Sequence, residues 1–500
     1  MTLPIIDTPL GEPVPTLAPR AEGWNPALEP ALLAGPGIEA TLARLRRPGA
    51  LVVTTGQQPG LFTGPGYSIT KAFSARGLAL ALEQRWGRPV VPVYWVPGDD
   101  HDLQEVASVS WLGADGDLLT ASLAPREPDA PLTPMWRQPL GAEVLEALDR
   151  FEQSFPPSPE GRSSVEWLRR HYRPEATVAG AYGAALAELV APFGILCLDS
   201  SHPAVKRAAS GVLLRALELS GLLDQELARL AASLEAAGRA SGVAVGDGAT
   251  LVFLDGELGR DRLMGAGAPG RYSLRRGRTT IGLEELGRIA EAEPTRLSGN
   301  VLLRPVLESA LLPTVAYLAG PAELRYLALT PPLYERLGVP RQLPVPRWSG
   351  LLVEPRVTRV LEKYGATLEE LLADGGLEGR IARQALPDGT DGLFRALREA
   401  IRQSYEPVVR AAAQVDPTLE RPAASARGQA LFAVDALEKK LLQHARKRES
   451  VELGQVARAR LSVRPQGKPQ ERVLCMTGFL ARYGKGVLEE LAAHIARWYG

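Results

Sequence analysis

The residues Leu51-Val52-Val53-Thr54-Thr55 stop at Gly56, pass through a glycine-rich loop to Gly66, and enter a helical pattern from about Ser68 to Trp86. After Gly87 comes Val90-Val91-Pro92-Val93-Tyr94-Trp95-Val96, apolar at nearly every position, as a strand buried on both faces requires. Strand, short loop, helix and strand is the grammar of a parallel sheet, because parallel neighbours need a crossover and the crossover covers a face. Ile69, Ala72, Phe73, Leu78 and Leu82 suit one side of that helix. The grammar recurs. Phe193 to Asp199 reads as a strand, Ser200-Ser201-His202-Pro203 opens helices over 203–241, and Val301 to Leu312 reads as a helix before a strand at Thr314 to Leu318. Ala319-Gly320-Pro321-Ala322-Glu323 then leads a helix to Leu337, with a last strand near Gln342 to Val345. The expected class is α/β.

Around this core the chain divides into 1–140 and 299–350 as two halves of the sheet, and 141–241 as a helical segment carrying the strand near 193–199. A small β-rich insertion is expected over 242–298, a helical antiparallel coiled coil over 351–465, and a C-terminal segment, 466–500, returning to the core. In the coiled coil, Leu393, Leu397, Ala400, Ser404 and Val408 form one expected seam, and Ala430, Val434, Leu437 and Leu441 the other, on either side of Asp416-Pro417.

Composition narrows the function. The chain of 500 residues has 57 Lys and Arg against 57 Asp and Glu, so it lacks the basic surplus that neutralises phosphate backbones, and no nucleic-acid partner is expected. No apolar stretch is long enough to span a membrane. Two cysteines, Cys197 and Cys475, are too few for a disulfide framework or a cysteine-rich zinc site. With no secretory leader pattern, a cytoplasmic location is expected. The 50 glycines and 42 prolines are spread along the chain as turn punctuation.

Three constellations carry chemistry. The loop contains Gly56, Gln57, Gln58, Gly60, Thr63, Gly64 and Tyr67, followed by Lys71. It reads either as a tight strand-to-helix turn or as an anion or nucleotide site, with backbone N–H groups and one cation facing phosphate. It is neither a Walker A loop nor a dinucleotide fingerprint. The second is Asp99-Asp100-His101-Asp102, directly after a strand end, where open parallel sheets place ligands. Helix capping accounts for one or two of the acids. Three acids with a histidine suggest Mg²⁺ coordination, recognition of a substrate ammonium, or general base catalysis. The third is Gly320 and Glu323, where capping and function weigh equally, with Arg304 and Arg347 as isolated cations suited to carboxylate or phosphate. His202 reads as a cap or an added site group. Cys197 and Cys475 read as inert. No metal is assigned.

The sequence Thr55-Gly56-Gln57-Gln58-Pro59-Gly60-Leu61-Phe62-Thr63-Gly64-Pro65, with Lys71 following, resembles the loop signature of the cysteine ligases of bacillithiol biosynthesis, and Pro92 to Asp102 resembles their acidic stretch. Val301 to Pro305, Ala319 to Glu323, Pro344 to Arg347 and Phe479 to Gly484 match in order, so the likeness spans nearly the whole chain. Asp99 stands where the family usually has Glu, and Gly66 where it commonly has a larger apolar residue. The resemblance implies a Rossmann-type parallel-sheet core with inserted connecting segments and a C-terminal α-helical coiled coil that mediates homodimerisation. It also implies addition of cysteine to glucosaminyl-malate by amide formation. ATP or another nucleotide is the expected activator, with Mg²⁺ as its companion ion. In that reading His101, Asp100, Asp102 and Asp99 do the chemistry. The loop and Lys71 hold phosphates, and Arg304 or Arg347 binds the malate carboxylates. A nucleotidylyl transferase-like enzyme acting on another small acid, and a non-catalytic nucleotide-binding dimeric scaffold, are the alternatives.

Overall fold

In a computed structural model, residues 3–20, 23–277, 279–373 and 375–500 are described. Five strands form the central sheet: β1 (Leu51–Gly56), β2 (Val90–Val96), β3 (Leu196–Asp199), β4 (Thr314–Ala319) and β5 (Leu343–Pro346). All neighbours are parallel and the spatial order is β3-β2-β1-β4-β5. The order reverses between β1 and β4, which makes the C-terminal ends of those two strands the topological switch point of a Rossmann-like sheet. Every residue of β1, β2 and β4 is buried, as the unbroken apolar runs demand. Helix α1 (Tyr67–Trp86) returns the chain from β1 to β2 and is buried along most of its length.

The chain separates into two compact units, Met1–Leu352 with Gln466–Gly500, and Val353–Pro465. In the first, the strands Ala249–Gly256, Gly259–Gly265, Arg271–Leu274, Thr280–Gly282 and Leu297–Gly299 build an antiparallel sheet inside the 242–298 segment. The helix expected from Val301 begins only at Arg304, because the Asn300 side chain accepts the Leu302 and Leu303 N–H groups and holds a separate turn before it. The helix expected from Ala319 to Leu337 is two, Pro321–Leu327 and Pro331–Leu337, the second starting at a proline pair. The final helix, Gly486–Tyr499, packs on α1 so closely that a Cβ at Gly77 would stand 3.0 Å from the Ile495 carbonyl.

The second unit contains the helical hairpin α2 (Thr390–Val415) and α3 (Glu420–Arg448), which pack along each other across the Asp416-Pro417 turn. The seam expected on α2 is displaced by one residue. Phe394 is buried and Ile401, Tyr405 and Val409 are half-buried, whereas Leu393, Leu397 and Val408 are 71%, 43% and 55% exposed. Two causes act together. Phe394 and Tyr405 remove more apolar area from water than Leu393 and Ser404 would. Arg398 on the same face bridges Asp435 and Glu438 of α3. On α3, Val434 is buried and Ala430 and Leu441 half-buried as expected, but Leu437 is exposed.

The glycine loop is held in a conformation its sequence resists. Phe62 and Thr63 have φ of 50° and 69°, left-handed values that cost a residue with a Cβ about 1–2 kcal/mol. Packing holds them there. The Phe62 ring lies in an aromatic cluster, 5.4 Å from Tyr172, 5.5 Å from Phe151 and 6.3 Å from Trp111. The Thr63 N–H donates to the Tyr172 hydroxyl at 2.7 Å, and the Phe62 carbonyl accepts from the Thr477 hydroxyl at 2.8 Å. Phe62→Ala is therefore expected to lower the unfolding free energy of the first unit by about 3–5 kcal/mol. Denaturant titration followed by tryptophan fluorescence measures it; a loss below 1 kcal/mol would contradict the role given to the cluster.

Candidate active site

The switch point is occupied by a buried ion pair. Lys71, 1% exposed, donates to the Gly56 carbonyl at 2.7 Å and to Gln57 Oε1 at 3.0 Å, and its ammonium lies 2.5 Å from the Glu323 carboxylate. Glu323 also accepts from the Tyr317 hydroxyl at 2.6 Å and caps its own helix through the Gly320 N–H at 2.8 Å. Burial pushes the Lys71 ammonium down to about 8, with Glu323 opposing it. Burial works upward on Glu323, but Lys71 and Arg304 outweigh it and hold the carboxyl below its ordinary range. Lys71 is thus a tie between β1 and β4, and its ammonium is not directed at a phosphate.

The latter half of the loop is likewise turned inward. Thr63 and Gly64 are buried, and the N–H groups of Thr63, Gly64 and Gly66 are taken by Tyr172, Leu61 and Leu474. The glycines permit close approach of the protein to itself. A Cβ at Gly56 would lie 2.6 Å from the Trp95 carbonyl, and one at Gly60 2.9 Å from Gly64 Cα. Gly66 gives a tight contact as well, with a Cβ there 3.1 Å from the Leu474 carbonyl. The loop residues Gln57, Gln58 and Tyr67 line a cleft of about 390 Å³ with Glu105, Ser108, Lys468 and Arg472.

Arg304 and Arg347 are not available for a carboxylate ligand in the way the sequence suggests. Arg304 pairs with buried Glu308 at 2.6 Å and donates to the Tyr326 hydroxyl at 3.1 Å. Arg347, 4% exposed, donates through both terminal nitrogens to the Glu471 carboxylate at 2.8 and 2.6 Å, tying β5 to the C-terminal segment. Each arginine is neutralised by a carboxylate distant from or unremarkable in the sequence.

The acidic cluster diverges. Asp99 is paired with buried Lys206, Asp102 caps the short helix Leu103–Val106, and Asp100 accepts from Gln58 Nε2 and from the His101 N–H at 2.6 Å. Among the described residues no group of three or more His, Cys, Asp or Glu side chains is placed to hold a metal ion. The acids do not converge on one point, so they do not form a Mg²⁺ cage by themselves. Burial raises the Asp100 carboxyl, but Arg260, the His101 N–H and Gln58 leave it below the usual carboxylate range. Gly98 admits no side chain, since a Cβ would lie 2.9 Å from Trp136 and 3.0 Å from Ser201 Oγ. His202 caps its helix, accepting the Ala204 N–H at Nδ1.

Sequence reasoning misses Arg260. It projects from the strand Gly259–Gly265 of the inserted sheet, lies 3.9 Å over the Phe253 ring, and donates to Ser298 Oγ at 2.9 Å and to the Gly299 carbonyl at 2.9 Å. Its remaining nitrogen, Nη1, meets His101 Nδ1 at 3.3 Å. A guanidinium only donates, so Nδ1 accepts and the neutral imidazole carries its proton on Nε2. Burial and the Arg260 charge both lower the His101 pKa. His101 is therefore a hydrogen-bond donor through Nε2, not a base at that atom. The only sequence signal was an arginine in a β-rich insertion, with nothing to indicate which side of the core it meets. Both cysteines are buried, which pushes their thiols up, Cys475 to about 11.

Comparison with known proteins gives the family of the chain. Residues 32–348 match the family description "Bacillithiol biosynthesis BshC, N-terminal Rossmann-like domain", and 350–497 match "Bacillithiol biosynthesis BshC, C-terminal coiled-coil domain". The chain belongs to the BshC family. Similar relatives include proteins named "Putative cysteine ligase BshC" from Koribacter versatilis (34% identity, 92% of this chain and 84% of the relative) and Symbiobacterium thermophilum (33%, 91% and 84%). One from Heliobacterium modesticaldum is 30% identical over 91% of this chain and 83% of its own length. The contribution of Arg260, added to that of burial, in lowering the His101 pKa makes a direct prediction. In Arg260→Gln, loss of the cation is expected to raise the His101 pKa toward its ordinary value of about 6.5. Histidine ring NMR against pH reads it; an unchanged or lower pKa would refute the assigned contact.

Proposed function

We propose that this BshC-family chain is the ligase that joins cysteine to glucosaminyl-malate in bacillithiol biosynthesis, with the cysteine carboxylate activated by a nucleotide. The observation that carries the reading is the pair of unlike groups at the end of β2: a carboxylate held below its ordinary range at Asp100 beside an imidazole whose Nδ1 accepts from Arg260, which leaves the ring proton on Nε2. Amide formation needs both. A carboxylate is a poor electrophile until one oxygen is bonded to phosphorus. The amine nitrogen then attacks the acyl carbon, the C–N bond forms, the C–O bond to phosphate breaks, and one amine proton must leave. The ammonium of the amino sugar first gives one proton to water and becomes the nucleophilic amine; Asp100 orients that amine and accepts its second proton as the C–N bond forms, while His101 Nε2–H donates to the anionic oxygen that develops on the acyl carbon or its phosphate. The nucleotide supplies the phosphoryl or adenylyl group. Gln58, which binds Asp100 from the loop, fixes the carboxylate in place.

Incubation of the purified protein with cysteine, glucosaminyl-malate and ATP-Mg²⁺ is expected to give the amide with stoichiometric nucleotide cleavage. Asp100→Asn should lower kcat by about 10²–10⁴-fold, the range for removing a positioned proton acceptor. Amide without nucleotide cleavage would overturn the activation step, and absence of amide under all these conditions the ligase reading.

The hairpin extends the proposal to a homodimer. Leu393, Leu397 and Val408 form an exposed apolar stripe on α2, with Phe432 and Leu437 exposed on α3. A second copy is the occupant the reading assigns, since an apolar stripe of this kind favours association. Light scattering is expected to give twice the chain mass, and Leu397→Glu with Val408→Glu to give a monomer. A wild-type monomer at micromolar concentration would rule the dimer out.

A further inference from the structure

We propose that the cleft between the glycine loop and the segment Gln466–Val473 is a subsite for a small dianion, lined by Lys468, Arg472 and the Tyr67 hydroxyl. It rests on the ligase reading in one respect, that the dianion is part of a substrate. The cleft is lined by polar and charged side chains from three separated stretches: Gln57, Gln58 and Tyr67; Glu105, Ser108 and Ser110; and Gln466, Lys468 and Arg472. Its two cations differ from the buried arginines nearby. Arg347 and Arg304 are matched by Glu471 and Glu308, whereas among the described residues Lys468 and Arg472 have no carboxylate partner. Arg472 stands 6.0 Å from the Tyr67 ring centroid, and Arg347 stands 5.6 Å from it.

A directed chain of hydrogen bonds ends in the same cleft. The Lys71 ammonium only donates, so it fixes Gln57 with Oε1 inward at 3.0 Å; Gln57 Nε2 then donates to the Tyr67 oxygen at 2.9 Å. Tyr67 has accepted within the protein and keeps its own proton for a ligand acceptor. The buried ammonium at the far end polarises each donor outward. Burial raises the phenol to about 12, so it stays protonated at neutral pH. Two cations and a phenol donor of this polarity recognise anionic oxygens.

The neighbouring wall has the opposite polarity. Gln58 Nε2 must face the Asp100 carboxylate, which leaves Gln58 Oε1 buried and, among the described residues, without a hydrogen-bond partner. A buried amide oxygen with no donor is costly unless a ligand supplies one. The cleft is thus bipolar, with acceptors at Gln58 and the Glu105 carboxylate and donors at Tyr67, Lys468 and Arg472. That arrangement fits a molecule with an amine or hydroxyls at one end and two anionic oxygens at the other. A hydroxydicarboxylate joined to an amino sugar has this form; the phosphates of a nucleotide present the same anionic chemistry.

The test is calorimetric titration of the full chain with three probes: L-malate, glucosaminyl-malate and ATP-Mg²⁺. Lys468→Ala with Arg472→Gln is compared with wild type, and Tyr67→Phe serves as a second variant that keeps the ring. Loss of charged hydrogen bonds is expected to weaken the binding of the seated dianion about 10- to 100-fold in the double variant, and less in Tyr67→Phe. Weakened malate and glucosaminyl-malate binding with ATP unchanged identifies the dicarboxylate as occupant. Weakened ATP binding alone identifies the nucleotide. Wild-type affinity of the double variant for all three, or no binding of any of them to wild type, overturns the subsite. The ligase reading fails separately, if wild-type protein binds the dianion but makes no amide.

Discussion

The contact on which the site depends is the buried pair of Lys71 and Glu323 at the switch point of the sheet. It joins the second turn of the helix that follows β1 to the first turn of the helix that follows β4, and through the Gly56 carbonyl and Gln57 it also fixes where the loop leaves the sheet. A lone buried ammonium or carboxylate would be strongly destabilising. The pair is tolerated because Tyr317, Gly320, Gly56 and Gln57 satisfy the remaining hydrogen-bonding positions. The charges therefore specify one arrangement of the two strand ends. Gln57 and Tyr67 inherit their orientation from it, and the polarity of the cleft follows.

A second layer comes from elements distant in sequence. The inserted sheet brings Arg260 against His101, α1 lies under the C-terminal helix, and Glu471 reaches back to Arg347. The Rossmann-like sheet supplies the strand ends, but the His101 imidazole is kept neutral by its burial together with an arginine from a different sheet. This division explains how a neutral imidazole and an ionised carboxylate persist one residue apart. Asp100 is surrounded by N–H donors and a guanidinium, while the same guanidinium makes an imidazolium unfavourable.

The sequence revealed the parallel strands because fully buried strands leave uninterrupted apolar runs, and it revealed the helical hairpin because Asp416-Pro417 divides two periodic stretches. It misplaced the α2 seam by one residue, since apolar residues occupy both positions and the inner one is selected by the larger area of Phe394 and Tyr405 together with the partner charges Asp435 and Glu438. It marked the loop and Asp99 to Asp102 as unusual but not their directions. Four glycines between a strand and a helix look the same whether they approach a ligand or Trp95 and their own neighbours. Arg304 and Arg347 appeared isolated because their carboxylates, Glu308 and Glu471, are ordinary in sequence and meet them only in the fold. Lys468 and Arg472 left no motif; their significance is that among the described residues they have no such partners.

The burial of Cys197 in β3 and of Cys475 beneath the glycine loop has a consequence for life among reactive sulfur compounds. Disulfide exchange requires an accessible thiolate, and both thiols are kept protonated and out of reach. A catalyst whose reactant and product both bear a free thiol, as the ligase reading has it, is then spared mixed disulfides with either one. Oxidative stress can change the redox state of the thiol pool without switching this protein off through its own cysteines.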